Sequence, residues 1–143
     1  MPSLFSHLLV PVDFTEKNAA ALRIARELAV QNHARVTLLH VIEPVEQAED
    51  DAEFQEFIRM LESKAETSLE ALAGDLTAAG VTVRQELLTG RRGAEILRYA
   101  VDQQVDLVVL SSHRVDPQQP QSIWQGLSYQ VSILCPCPVL LVK

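Results

Sequence analysis

Three short apolar runs, spaced too widely to be hairpins, constrain this chain more than any other feature. They read HLLVPVD (His7 to Asp13), ARVTLLHVIEP (Ala34 to Pro44) and VDLVVLSS (Val105 to Ser112). Such near-continuous apolar strands are buried on both faces, the condition of strands in a parallel sheet. VDLVVLSS is the most apolar and is expected near the centre. VTVRQELL (Val81 to Leu88) alternates and suits a wetter strand at or near an edge. VLLVK closes the chain as a fifth strand.

Helical periodicity fills the gaps. Ala19, Leu22, Ile24, Ala25, Leu28 and Ala29 recur near the 3.6 period, with Thr15 as the expected cap and the helix ending near Gln31. A longer stripe runs through Phe54, Phe57, Ile58, Leu61, Ala65, Leu69, Leu72, Ala73 and Leu76, and Gly80 falls where a C-terminal cap belongs. TGRRGAEILRYAVDQQ turns at Gly90 and Gly93 into a third helix, and IWQGLSYQVSIL gives a fourth, ended by CPCP. Five strands alternating with four helices predict a single α/β domain, an open five-stranded parallel sheet with right-handed crossovers and helices on both faces.

Charge and cysteine content narrow the function. The net charge of −7, without a basic block, argues against nucleic acid as a partner. No apolar run reaches the roughly 18 residues of a membrane span, so no membrane insertion is expected. The N-terminus lacks the charged opening of a signal peptide, which suggests a cytoplasmic location. Residues 43–56 hold seven acids and no base, and read as a solvated loop and helix start; Arg59 and Lys64 read as surface ion-pair partners. His7, His33, His40 and His113 have no metal-ligand spacing. Cys135 and Cys137 have one residue between them, fewer than the C-x-x-C of thioredoxin-like chemistry.

Ligands of open α/β sheets bind beyond the carboxyl ends of the strands. Those ends carry Pro11-Val12-Asp13, Val41-Ile42 and Ser111-Ser112-His113-Arg114. Asp13 suits a ribose hydroxyl pair, or equally a turn ahead of the first helix. The hydroxyls, imidazole and guanidinium at the end of the fourth strand suit an anion.

At these residues the chain resembles the universal stress protein family, across nearly its whole length. The resemblance is carried by LLVPVDFTEKNAAALRIARELA, ARVTLLHVIEP, GRRGAEILRYAVDQQVDLVVLSSHR and CPCPVLLVK, in the family's order and spacing. It implies strand order 3-2-1-4-5, with the switch point between strands one and four. It also implies that Cys137 belongs to a structural helix-to-strand connection.

Members that bind ATP carry approximately G-x-x-G, nine residues, then G-[ST], whose backbone amides cradle phosphates. Here Ser111 and Arg114 stand at the first two glycine positions, and eleven residues precede Gly126, with Ser128 after it. A side chain at a glycine position obstructs close backbone approach. Some nucleotide-binding relatives nonetheless share an S-H-R-x-D sequence like SHRVD at residues 112–116, where Arg114 supplies charge.

The expected site is therefore Pro11, Asp13, Val41, Ser111, Ser112, His113, Arg114, Gly126 and Ser128, holding ATP or AMP, with Mg²⁺ entering only with the nucleotide. The alternative is a vestigial pocket in a scaffold that acts through contacts with another protein. Neither His113 nor Asp13 has a recognisable catalytic partner, so slow ATP hydrolysis or thiol redox turnover ranks third. The loop from His113 to Ser122 is expected to act as a lid. The resemblance further implies a homodimer in which the final strands pair antiparallel across a two-fold axis.

Overall fold

The computed structural model describes residues 3–44, 51–112, 118 and 126–143. Its elements are β1 (His7–Pro11), α1 (Asn18–Asn32), β2 (Arg35–Ile42), α2 (Ala52–Ala78), β3 (Val83–Thr89), α3 (Arg92–Asp102), β4 (Leu107–Ser111), α4 (Leu127–Leu134) and β5 (Val139–Val142). All five strands lie parallel in the order β3-β2-β1-β4-β5, as the resemblance implied.

The sheet's period of two sorts its apolar residues between two cores. Leu8, Val10, Val36, Leu38, Leu107 and Val109 face α1 and α2, against Ala21, Ala25, Leu69 and Leu76. Leu9, Leu39, Val41, Val108 and Leu110 face α3 and α4, against Ile96, Tyr99 and Val131. The small residues of α1 let its axis approach the sheet closely. Among the described residues, no helix is long and apolar enough to cross a membrane.

Two local expectations need correction. Thr15 does not cap α1; the helix starts at Asn18, after Lys17, whose side chain makes no capping bond. The Thr15 side chain is turned to Asp13, its hydroxyl donating at 2.7 Å, and it stands three residues ahead of the first helical residue. The apolar stripe of α2 is also buried only in its lower half, at Ala65, Leu69, Ala73 and Leu76, while Phe57 is 53% exposed. Length explains this: 27 helical residues span about 40 Å, against about 26 Å for the eight residues of β2. The first turns of α2 therefore overhang the sheet. Asp51 caps that end, its carboxylate accepting the Glu53 N–H at 3.0 Å. At the other end Gly80 adopts φ +85° just past the helix, as its sequence position suggested.

At the amino ends of the strands a polar network fastens β1. Asp106 accepts the Ser6 and His7 N–H groups at 2.8 and 3.0 Å, and the Ser6 hydroxyl at 2.8 Å. His7, 3% exposed, places Nε2 2.7 Å from Thr37 Oγ1 and Nδ1 3.2 Å from the Gln103 carbonyl. Burial, reinforced by the Arg35 charge, holds the imidazole below its ordinary value of 6.5. The unfolded chain therefore binds a proton at a pH where the folded chain does not. Stability is full above pH 6.5 and falls as the pH drops towards the folded value. Denaturant midpoints measured between pH 7.5 and about 5.5 should decrease, and His7→Gln should flatten that slope; Asp106 and Asp13, both held below 3.8, do not titrate in this window.

Candidate functional site

The chain leaves β1 through a turn that builds the rim of a cleft. Val12 continues the ladder, its N–H donating to the Leu39 carbonyl at 2.9 Å. Phe14 then takes the left-handed conformation, φ 65°. Asn18, the first residue of α1 and only 4% exposed, makes this conformation possible. Its Oδ1 accepts the Asp13 and Phe14 N–H groups, each at 2.9 Å, and its Nδ2 donates to Ser111 Oγ at 3.1 Å. One amide thus joins the ends of β1 and β4 at the switch point.

Asp13 sits at the mouth of the cleft, its carboxylate accepting the Thr15 N–H at 3.0 Å as well as the hydroxyl. Partial burial pushes the carboxyl up, but the bonds from Thr15 outweigh it, assisted by the Arg92 charge, and Asp13 stays ionised below its ordinary value. The turn and ligand readings of this residue are compatible, because each carboxylate oxygen has two lone pairs.

Two recesses share Asp13, Val41 and Arg92. A narrow slot of about 40 Å³ runs down between the strand ends, lined by Pro11, Leu39, Ile96, Leu110, Ser111 and Leu127. A wider cleft of about 580 Å³ opens towards the overhang of α2, between His40, Glu43, Leu61, Lys64 and Ser68. His40 is fixed there by Nδ1 donating to the Val12 carbonyl at 2.7 Å and by the Phe14 ring, 4.4 Å between centroids. Arg92 is the first residue of α3, and its N–H donates to Glu43 Oε1 at 2.8 Å. The tight entry into that helix needs Gly90, at φ +151°, whose N–H donates to the Ile42 carbonyl at 2.9 Å.

Of the nine residues expected from the sequence, Pro11, Asp13, Val41 and Ser111 line these recesses. Ser112 does not: it is buried, and its N–H continues the ladder to the Val142 carbonyl at 2.8 Å. Gly126 stands ahead of α4 and Ser128 within its first turn, beside the slot-lining Leu127 but not in the lining themselves. His113, Arg114 and nearly all of the expected lid lie outside the described residues. Asn18, His40 and Arg92 were not singled out by sequence. An asparagine at a helix start reads as a cap, and Arg92 reads as one of two adjacent surface arginines.

Among the described residues there is no cluster of three potential metal ligands. The site offers instead an apolar slot, a fixed carboxylate and a guanidinium at a topological switch point. These features define a small doubly wound α/β protein with a cleft at the carboxyl ends of its strands. The profile of the universal stress protein family matches residues 4–143, and the chain belongs to that family.

A universal stress protein of Thermus aquaticus is 31% identical, over 98% of this chain and 100% of its own length. The structure of the universal stress protein UspA from Lactobacillus plantarum superposes with a TM-score of 0.83 at 22% identity, covering 97% of this chain and 98% of that one. A universal stress protein solved in complex with cAMP shares the fold at a TM-score of 0.77 and 16% identity, covering 99% of both chains.

Asn18 makes the geometry testable apart from any ligand. Asn18→Ala strands two half-buried N–H groups and the Ser111 hydroxyl, and should lower unfolding stability by about 1–2 kcal/mol in urea titrations.

Proposed function

We propose that this chain is a non-catalytic adenine-nucleotide-binding module whose ligand-bound state is read by a protein partner. The observation that carries the proposal is the convergence of Asp13 and Arg92 on an apolar cleft at the switch point. A carboxylate there accepts ribose hydroxyls, and a guanidinium meets the phosphate of AMP or the first phosphate of ATP. The α4 amino end, preceded by Gly126 and lacking a side-chain cap, offers further N–H donors. Mg²⁺ would enter with a polyphosphate. Relatives of the same fold solved with cAMP, dAMP and AMP support the adenine class. The bonds from Thr15 hold the Asp13 carboxyl below its ordinary value and so make it a weak general base.

Ser111 favours a second reading. Standing where ATP-binding members have glycine, it is tied to Asn18 and narrows the slot. On that reading the chain is a scaffold without nucleotide, working in the cytoplasm through protein contacts. Calorimetry with AMP, ATP and adenosine separates the two. AMP should bind more tightly than adenosine, Asp13→Ala should weaken AMP several-fold, and Arg92→Gln should shrink the AMP-to-adenosine preference by about ten-fold. Failure of wild type to bind any of the three supports the scaffold.

We also propose homodimerisation through β5. The Pro138 and Val142 carbonyls bond to β4, through Val108 and Ser112 N–H at 3.0 and 2.8 Å. By the period of two, Val139 and Leu141 turn their backbone groups to the free edge. Leu140, Ile133 and Leu134 remain exposed nearby. The informative proline is therefore at Leu141, since Val142→Pro would break the β4–β5 ladder instead. In sedimentation velocity at micromolar concentration wild type should run at about twice 15.9 kDa, with Leu141→Pro shifted to monomer further than Leu141→Ala.

A further inference from the structure

We propose that Cys135 and Cys137 form a redox-responsive dithiol, which closes reversibly to an intramolecular disulfide by exchange with a low-molecular-weight disulfide such as oxidised glutathione. Their sulfurs already touch, Sγ to Sγ at 3.5 Å, and both residues are free and half-buried. The backbone spacing suits a bond as well. Cys135 is extended (φ −72°, ψ 130°), and Pro136 has its φ fixed by the ring. Two Cα steps of about 3.8 Å span at most about 7.6 Å, and the bend at Pro136 shortens this towards the range of about 4.4–6.8 Å found in disulfides. Side-chain rotation is then what brings the sulfurs to bonding distance.

Both ends of the segment are pinned. The Cys135 N–H donates to the Val131 carbonyl at 2.9 Å, closing α4, and the Pro138 carbonyl accepts the Val108 N–H at 3.0 Å, starting β5. A three-residue bridge between fixed anchors is strained, and strained disulfides are easily reduced. The pair therefore stays reduced in a reducing compartment and closes under an oxidising challenge. Zinc is a poorer occupant, because no third protein ligand joins the pair among the described residues.

The chemistry balances with the disulfide as oxidant. The Cys135 thiolate attacks one glutathione sulfur, and the first glutathione leaves as a thiolate. Cys137, pushed up by burial and the adjoining thiol, follows, and exchanging the roles of the two sulfurs leaves the product unchanged. After losing its proton to solvent, Cys137 attacks the Cys135 sulfur and expels the second glutathione. Two protein thiols lose two electrons and two protons, and one oxidised glutathione becomes two reduced ones.

The test incubates the folded full chain with oxidised glutathione at neutral pH, quenches with acid and reads intact and peptide masses. Wild type should finish two hydrogens lighter, with the bond inside the peptide spanning residues 135–137, and dithiothreitol should reverse it. Cys137→Ser should stop with one glutathione on Cys135, and Cys135→Ser with one on Cys137. The proposal is overturned if wild type retains glutathione, forms only links between chains, or stays reduced where the urea-unfolded chain is modified. The wild-type peptide map decides the bridge without relying on either variant.

Discussion

Burial of a parallel sheet on both faces is the constraint on which the rest depends. A parallel neighbour is reached only by crossing over one face, so each connection lays a helix on the sheet. Two crossovers carry the chain outward from β1 to β3 on the α1 and α2 side. The third crosses back beneath β1, and α3 and α4 cover the other face. Because the path reverses beside β1, the carboxyl ends of β1 and β4 lie side by side at the switch point, where the cleft opens. The cleft follows from the topology, and its side chains are the residues that happen to stand there.

The two ends of β1 divide the labour. At the amino end Asp106 and His7 tie the strand to the loop before β4. At the carboxyl end Asn18 performs a similar task while leaving Asp13 facing the cleft. Both junctions span the same strand pair, which has only two registered residue pairs in its ladder. Side-chain bonds therefore supplement the backbone pairing at the place where the switch point interrupts it.

Much of this organisation was legible because burial writes itself into composition. Doubly buried strands such as HLLVP and LVVLS admit few polar residues, and Ala-rich α1 announces close packing against the sheet. Strand order came from resemblance to a family rather than from periodicity, since an apolar run does not name its neighbour. The site was less legible. Pro11, Asp13, Val41 and Ser111 could be found from strand ends, whereas Arg92 reaches the same cleft from α3, far along the chain. Thr15 was expected to cap α1, yet both it and Asn18 bond to the turn at Asp13, and only the geometry of that turn decides where each side chain binds. The exposed start of α2 was hidden for another reason: an amphipathic stripe records what a helix face is, not how far the sheet beneath it extends.

The alternation along β5 separates two kinds of inheritance. Residues at even positions are held by the β4 ladder, so changes to their backbone bonding are felt as folding defects in the single chain. Those at odd positions turn their amides to the edge left open among the described residues, where a change leaves the β4 ladder intact. A lineage carrying this strand can therefore vary that edge with little risk to its fold, one alternate residue at a time.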